Sequence, residues 1–272
     1  MKILYIAYSS ERIHRRTAYS ILSCLHVHGG KLPCPLELVT DEPEFYAAFQ
    51  NLLSFRPLSS TEISSWIHAA GGYGLAPKTE IFRLQTDSFL FFDGDTVLLR
   101  PLPSLIKQLV STTSLMQKCE YRLGRRSDFS ALVADAEFPD FTSCTPMYNS
   151  GLFGVHRDNL SVLRQIRDTV RTIFSKYPIR PIDQLVAGTL LAKRTRILTV
   201  PGWILHYWQD KGVVDAFVDG LFQRHGLASM VEQVLEGNGD DLFALGFRKN
   251  PILYDLYMRL LPRIERFFPN KQ

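Results

Sequence analysis

The sequence predicts an α/β domain over residues 1–212 followed by a helical region over 213–272, and three observations carry that expectation. The chain opens on a short apolar run, Ile3 to Tyr8, which passes through Ser9, Ser10 and Glu11 into a helical pattern marked by Ile21, Leu22 and Leu25. Four apolar residues without polar alternation, Phe89 to Phe92, read as a strand buried on both faces. From Val213 the alternation of strand and helix stops, and Val231 to Leu235 and Pro251 to Phe268 read as helices.

Composition sets the outer bounds. With 272 residues, 46% of them hydrophobic, the chain can bury a sizeable core and is not a disordered segment. A formal charge of +4 is too modest to argue for nucleic acid, and leaves anionic small molecules and lipid head groups open as partners. Cys24, Cys34, Cys119 and Cys144 form no CxxC pair, which suits a reducing compartment and argues against a disulfide framework or a zinc knuckle. The N-terminal apolar run is too short for a signal peptide or a span, so a cytoplasmic protein is expected.

The remaining elements follow in order. Leu36 to Val39 is a second strand, with Asp41 just beyond it as either a nucleoside-binding carboxylate or the cap of a helix from Glu44 to Leu53. His14, His26 and His28 are read as surface residues, because His26 and His28 stand two apart on a helix and cannot face one ligand position. A helix over Thr61 to Ala70 breaks at Gly71-Gly72-Tyr73-Gly74, which lacks the spacing of a phosphate loop and is read as a plain loop. Pro77 to Leu84 is a short helix with its proline in the first turn, and Leu102 to Val110 is another. Met116 to Phe141 shows no clean period and reads as an irregular excursion. Tyr148 to Val155 returns to strand, and Asn159 to Ser175 is an amphipathic helix that Pro178 ends. A helix opens on Asp183 and Gln184, and Ile197 to Val200 is a last short strand before the aromatic stretch from Trp203 to Lys211.

The chemistry concentrates after Phe92. Asp93 and Asp95 stand at the end of a core strand with Gly94 between them, so their oxygens can converge on one hard cation, where ligands of parallel sheets usually bind. An ordinary turn is the competing explanation of the same three residues. The C-terminal stretch mixes Leu, Tyr and Phe with Arg259, Arg263, Arg266 and Lys271, a pattern that fits either a docked terminal helix or peripheral contact with the inner face of an anionic membrane.

The ordered set of Lys78, the Asp93-Gly94-Asp95 strand end, Asn149-Ser150-Gly151, Asp183-Gln184 and His206 resembles the nucleotide-sugar glycosyltransferases of the GT-A fold. It is most similar to glycosyltransferase family 8, the family of glycogenin and the bacterial lipopolysaccharide galactosyltransferases. The resemblance spans about Met1 to Lys211. It implies an α/β, Rossmann-like nucleotide-diphospho-sugar transferase fold with a mixed, mostly parallel sheet. It further implies Mn²⁺, or Mg²⁺, held by Asp93, Asp95 and His206, with Lys78 and Lys211 adding charge at the donor diphosphate. Residues matching Asn149, Asp183 and Gln184 line the donor sugar in that family, which makes Asp183 and Gln184 the catalytic residues here; Gly94 and Ser150 lie with the donor, and Tyr8, Ser9, Arg12 and Asp41 fall where the nucleoside is held. Implied with these are a UDP-sugar donor, a saccharide, glycolipid or protein-linked acceptor of the kind used in polysaccharide biosynthesis, and transfer with retention. Departures mark a distant member: Lys211 follows His206 by five residues without the usual Pro-Trp ending, and Leu185 replaces a polar residue after Asp183-Gln184.

Two rival readings remain. The stretch FLFFDGDTV also fits the strand motif of haloacid dehalogenase phosphatases, with Asp93 as nucleophile beside Mg²⁺ and Gly237 to Asp241 as the late acidic motif. A non-catalytic nucleotide-sugar-binding module is the other.

Overall fold

The structure is a computed structural model and describes residues 1–208 and 211–245. The basic, aromatic stretch from Pro251 to Phe268 lies outside the described residues, as do Gln209 and Asp210.

Nine strands and eight helices follow one another among the described residues: β1 (Lys2–Ala7), α1 (Glu11–Val27), β2 (Leu36–Thr40), β3 (Ser54–Pro57), α2 (Ser60–Ala69), α3 (Ala76–Arg83), β4 (Phe89–Phe92), β5 (Thr96–Leu98), α4 (Pro103–Ile106), β6 (Thr113–Arg122), α5 (Ser130–Ala134), β7 (Pro146–Val155), α6 (Ser161–Lys176), α7 (Ile182–Ala192), β8 (Arg196–Thr199), β9 (Ile204–His206) and α8 (Lys211–Leu235). Seven strands form one sheet in the order β3-β2-β1-β4-β7-β6-β8, and β5 and β9 form a separate two-stranded ribbon. β1 pairs parallel with β4 and β6 parallel with β8, while β7 runs antiparallel to both β4 and β6. The α/β class and the mixed, mostly parallel sheet are as expected.

The chain divides into two compact units that interleave along the sequence. The first comprises Met1–Leu4, Pro57–Phe92 and Ser104–Val200; the second comprises Tyr5–Arg56, Asp93–Pro103 and the described part of the chain after Pro201.

In the first unit the apolar tetrad of β4 is buried throughout, and Phe82, Phe89 and Phe153 lie ring to ring against one another, Phe82 and Phe153 stacked at 5.0 Å. Each such side chain removed from water stabilises by about 1.5–3 kcal/mol. Helix α6 buries Val162, Leu163, Ile166, Val170 and Ile173 along one stripe, the face its periodicity predicts. The carboxylate of Glu80, on α3, is buried and takes Arg167 and Arg171 from α6 as well as Arg83, so its charge is paired where an unpaired one would be costly.

In the second unit α1 is enclosed over most of its length, from Thr17 to Leu25. Gly29 and Gly30, both at positive φ, end it, and the Gly30 N–H returns to the carbonyl of Leu25. Arg16 on α1 forms a two-pronged ion pair with Asp215 on α8, and Arg15 pairs with Asp219 one turn further along.

Several local expectations are corrected. Met116 to Phe141 is not wholly irregular, because β6 occupies Thr113–Arg122; its register slips after Met116 and after Cys119, and those slips with Lys118, Glu120 and Arg122 erase the alternation a strand would show. The helix expected over Leu102 to Val110 is only the short α4, followed by turns closed by Thr113 Oγ1 on the Gln108 carbonyl. In place of a helix over Glu44 to Leu53 there is a 3₁₀ segment, Pro43–Phe49, kinked at Tyr46. His14 is no surface residue: it is buried between Asp41 and Tyr46, because α1 is covered on more than one side. His26 and His28 are half-buried, and His28 accepts from the Leu102 N–H at 2.9 Å. Val231 to Leu235 is helical as expected and forms the end of α8, so the phosphatase reading lacks the strand it needs before Gly237.

Candidate active site

Thr96 pairs with His206, Val97 with Leu205 and Leu98 with Ile204 in the β5–β9 ribbon, and the Tyr207 N–H donates to the Asp95 carbonyl at 3.2 Å. This register carries His206 across the sequence to Asp95, with His206 Nε2 3.1 Å from Asp95 Oδ1. Asp93, Asp95 and His206 each offer one ligand atom, and the three atoms lie within 4.8 Å of one another. The donor set, two carboxylate oxygens and one imidazole nitrogen, suits a borderline-hard divalent ion such as Mn²⁺.

The cluster already draws positive charge. Lys211, the first residue of α8, places its ammonium 2.6 Å from Asp95 Oδ2. Burial alone would raise the Asp95 carboxyl, but His206 and Lys211 together hold it well below the usual carboxylate range. Asp95 is therefore favoured in its ionised form, the form in which a carboxylate can hold a metal ion.

The turn that presents these groups is packed from below by α1. Thr17, Ser20 and Ser23, spaced three apart, present hydroxyls toward it: Ser20 Oγ meets Thr96 Oγ1 at 3.0 Å, and Ser23 Oγ accepts from the Leu98 N–H at 2.9 Å. Thr96 Oγ1 donates to the Asp93 carbonyl at 2.7 Å, closing the turn. A Cβ at Gly94 would meet Thr17 Oγ1 at 2.3 Å, so the glycine is required by close approach of the helix. The sequence reading missed this hydroxyl row; its spacing of three on a helix was the available signal.

In the same unit, the loop after β1 is tied to Asp41. Asp41 Oδ2 accepts from the Ser9 N–H at 2.9 Å and Oδ1 faces His14 Nε2 at 3.2 Å. Asp41 is thus not a helix cap; the 3₁₀ segment that follows has Glu42 at its cap position. Ser9 holds a φ of 93°, rare for a residue with a Cβ, and the Asp41 hydrogen bond fixes it there. Burial pulls the His14 imidazole below its ordinary value against the opposing pull of Asp41 and Glu42. Tyr8 is half-buried, and Arg12 is exposed with its Nε 4.0 Å from Asp215.

The first unit contains a second cluster of the expected residues. Lys78 is buried, donates to Ser150 Oγ at 3.1 Å, lies 3.7 Å from Asp183 Oδ2 and stands over the Phe91 ring at 4.7 Å. The Ser150 N–H donates to Gln184 Oε1 at 2.8 Å. That bond orients the Gln184 amide so that its NH₂ is the end left to meet a ligand. Asn149 accepts from the Gly151 N–H at 2.8 Å and donates to Glu120 Oε1 at 2.9 Å. Glu120 sits at one of the register slips of β6, where a bulge re-aims a side chain, and no local pattern signals it. Tyr73, read from sequence as part of a plain loop, donates to Asp183 Oδ1 at 2.6 Å.

Known structures share this architecture. The galactosyltransferase LgtC, solved in complex with donor and acceptor sugar analogs, is similar to this chain with a TM-score of 0.51 at 10% identity, over 72% of this chain and 73% of its own. Mouse xyloside xylosyltransferase 1 in its apo form is similar with a TM-score of 0.51 at 12% identity, over 84% of this chain and 94% of its own. This chain has the GT-A glycosyltransferase fold. No protein-family model and no curated protein matches the sequence. Among the described residues no helix is long and apolar enough to cross a membrane.

Proposed function

We propose that this GT-A chain is a metal-dependent glycosyltransferase that moves a sugar from a nucleoside-diphosphate donor, UDP-linked by resemblance, to a hydroxyl of a saccharide, glycolipid or protein-linked acceptor. The observation that carries the reading is the convergence of Asp93, Asp95 and His206 on one point at the end of a core strand. A divalent ion bound there would offset the negative charge that develops on the departing diphosphate.

The chain's own residues have separate tasks in this reading. Asp93, Asp95 and His206 hold the ion, and Lys211 moves its charge toward the diphosphate. Lys78, fixed beside Ser150 and Asp183, adds a second cation for the donor. Asp183 accepts from hydroxyls of the donor sugar, and the Gln184 amide donates near the reacting carbon. Asn149 and Ser150 line the sugar, Gly94 lies with the donor at the metal turn, and the loop of Tyr8, Ser9 and Arg12, tied down by Asp41, meets the nucleoside. In the transfer the bond between anomeric carbon and diphosphate oxygen breaks and its electron pair leaves with the diphosphate. The acceptor oxygen bonds to that carbon, and its proton passes to the departing phosphate oxygen. Retention of configuration is part of the proposal, as is peripheral membrane contact through the C-terminal stretch of a cytoplasmic protein.

The test is release of UDP from UDP-glucose, UDP-galactose and UDP-xylose, with Mn²⁺ and with chelator. Metal-dependent release from one donor, abolished in Asp95→Ala, is expected. Binding of UDP-sugar without turnover, even with acceptors supplied, would favour the non-catalytic module, and absence of binding would sink both.

A further inference from the structure

We propose that Tyr73 is a positioning residue for Asp183, an inference that rests on the transfer reading above and deepens it. Asp183 lies in the first turn of α7, whose cap position is Pro181 and offers no side-chain acceptor. The first N–H groups of a helix have no partner within it and must find one elsewhere. For the N–H of Asp183 that partner comes from 110 residues away: the Tyr73 hydroxyl accepts from it at 3.4 Å. The same hydroxyl donates to Asp183 Oδ1 at 2.6 Å. One oxygen atom thus grips both the backbone and the side chain of Asp183.

The grip is built, not incidental. Helix α2 ends where the N–H groups of Gly71 and Gly72 return to the carbonyls of His68 and Ile67, with both glycines at positive φ. Only glycine adopts that geometry cheaply, and the reversal turns Tyr73 inward. Its ring is buried and packs against Phe174 of α6 at 4.6 Å between centroids. On the other side of Asp183, Lys78 lies 3.7 Å from Oδ2. The carboxylate is therefore held from both ends, Oδ1 by a short hydrogen bond from a rigid phenol and Oδ2 by a buried ammonium.

This arrangement suits a group that must accept hydrogen bonds from sugar hydroxyls at one fixed position. A carboxylate on an uncapped first turn would sample several rotamers, and misplacement by about 1 Å costs on the order of 100-fold in rate. Tyr73 touches neither donor nor acceptor in this proposal; it acts through Asp183.

The experiment is a double-mutant cycle on metal-dependent donor turnover with Tyr73→Phe, Asp183→Asn and the double variant, with UDP binding measured alongside. Phenylalanine keeps the ring on Phe174 and removes only the hydroxyl. Expected are a kcat lowered about 10- to 100-fold by Tyr73→Phe, a UDP affinity within about twofold of the parent because UDP carries no sugar, and no further loss when Tyr73→Phe is added to Asp183→Asn. A purely structural role would instead lower UDP binding with turnover and add its cost to that of Asp183→Asn, and that result overturns the proposal. An active parent whose turnover Tyr73→Phe leaves unchanged overturns the clamp alone. A parent silent with every donor and acceptor overturns the transfer reading, and this one with it.

Discussion

Thr96 and His206 stand opposite each other in the β5–β9 ribbon, and that pairing fixes His206 Nε2 3.1 Å from Asp95 Oδ1 across 111 residues of sequence. A histidine delivered by a hydrogen-bonded register is held along the strand direction, so its distance to the carboxylates does not depend on a flexible loop.

Lys211 sits on the same carboxylate as the proposed ion, at 2.6 Å from Asp95 Oδ2. Two unit charges about 4 Å apart interact by about 1 kcal/mol in a watery setting, the relevant limit for a partly exposed lysine. Lys211→Met is expected to tighten Mn²⁺ binding without nucleotide by about fivefold, since 1.4 kcal/mol is tenfold, and to weaken UDP binding in the presence of Mn²⁺. Calorimetric titration of both ligands measures this; Mn²⁺ binding that is unchanged or weaker speaks against it.

Gly94 leaves no room for a side chain above Thr17. Overpacking of this kind costs about 1–3 kcal/mol. Gly94→Ala is expected to lose stability in that range in urea unfolding, and Thr17→Ala in the same chain to restore part of it. An equal loss with and without Thr17→Ala would show that contact with Thr17 is not the cause.

Gln184 accepts from the Ser150 N–H through Oε1, leaving its NH₂ to donate. Gln184→Glu keeps that acceptor and removes the donor. Turnover is expected to fall at least about tenfold, the scale of one strong hydrogen bond, while the melting temperature stays within about 2 °C of the parent. Full activity in the variant would mean that the amide does not act as a donor.

Asp135 binds Lys176, the Glu137 N–H and the Tyr177 hydroxyl. The hydrogen bond from Lys176, with the other two, pushes its carboxyl down to about 2 from an ordinary 3.8. The unfolded chain therefore takes up this proton first as pH falls, so the contribution is complete above pH 4 and is lost toward pH 2. Asp135→Asn is expected to flatten the pH dependence of the urea midpoint between pH 4 and pH 2 and to leave its slope above pH 5 unaltered. An identical acid limb in both proteins would refute the assignment.

What the sequence made legible was whatever depends on local pattern. The uninterrupted apolar run Phe89 to Phe92 declared a doubly covered strand, the carboxylates just after it marked a candidate cation site, and the stripe of α6 declared its buried face. Resemblance singled out His206, Lys78, Asp183 and Gln184, but no spacing in the chain states how close they come to their partners. Strand β6 stayed hidden because its register slips at Gln117 and at Glu120, breaking the period of two. His14 was misjudged because a polar residue on a helix looks exposed until a second element covers it.

By itself, then, the sequence determined the α/β class, the core strand and the pair of carboxylates at its end, since hydrophobic periodicity and strand-end carboxylates are properties of short stretches. Only the tertiary structure decided that His206 meets Asp95, that Asp41 holds Ser9 rather than capping a helix, and that Tyr73 grips Asp183. Each of those joins residues far apart in the chain through strand register or hydrogen bonds, and such long-range pairings are chosen by the folded packing, not by the residues' neighbours in sequence.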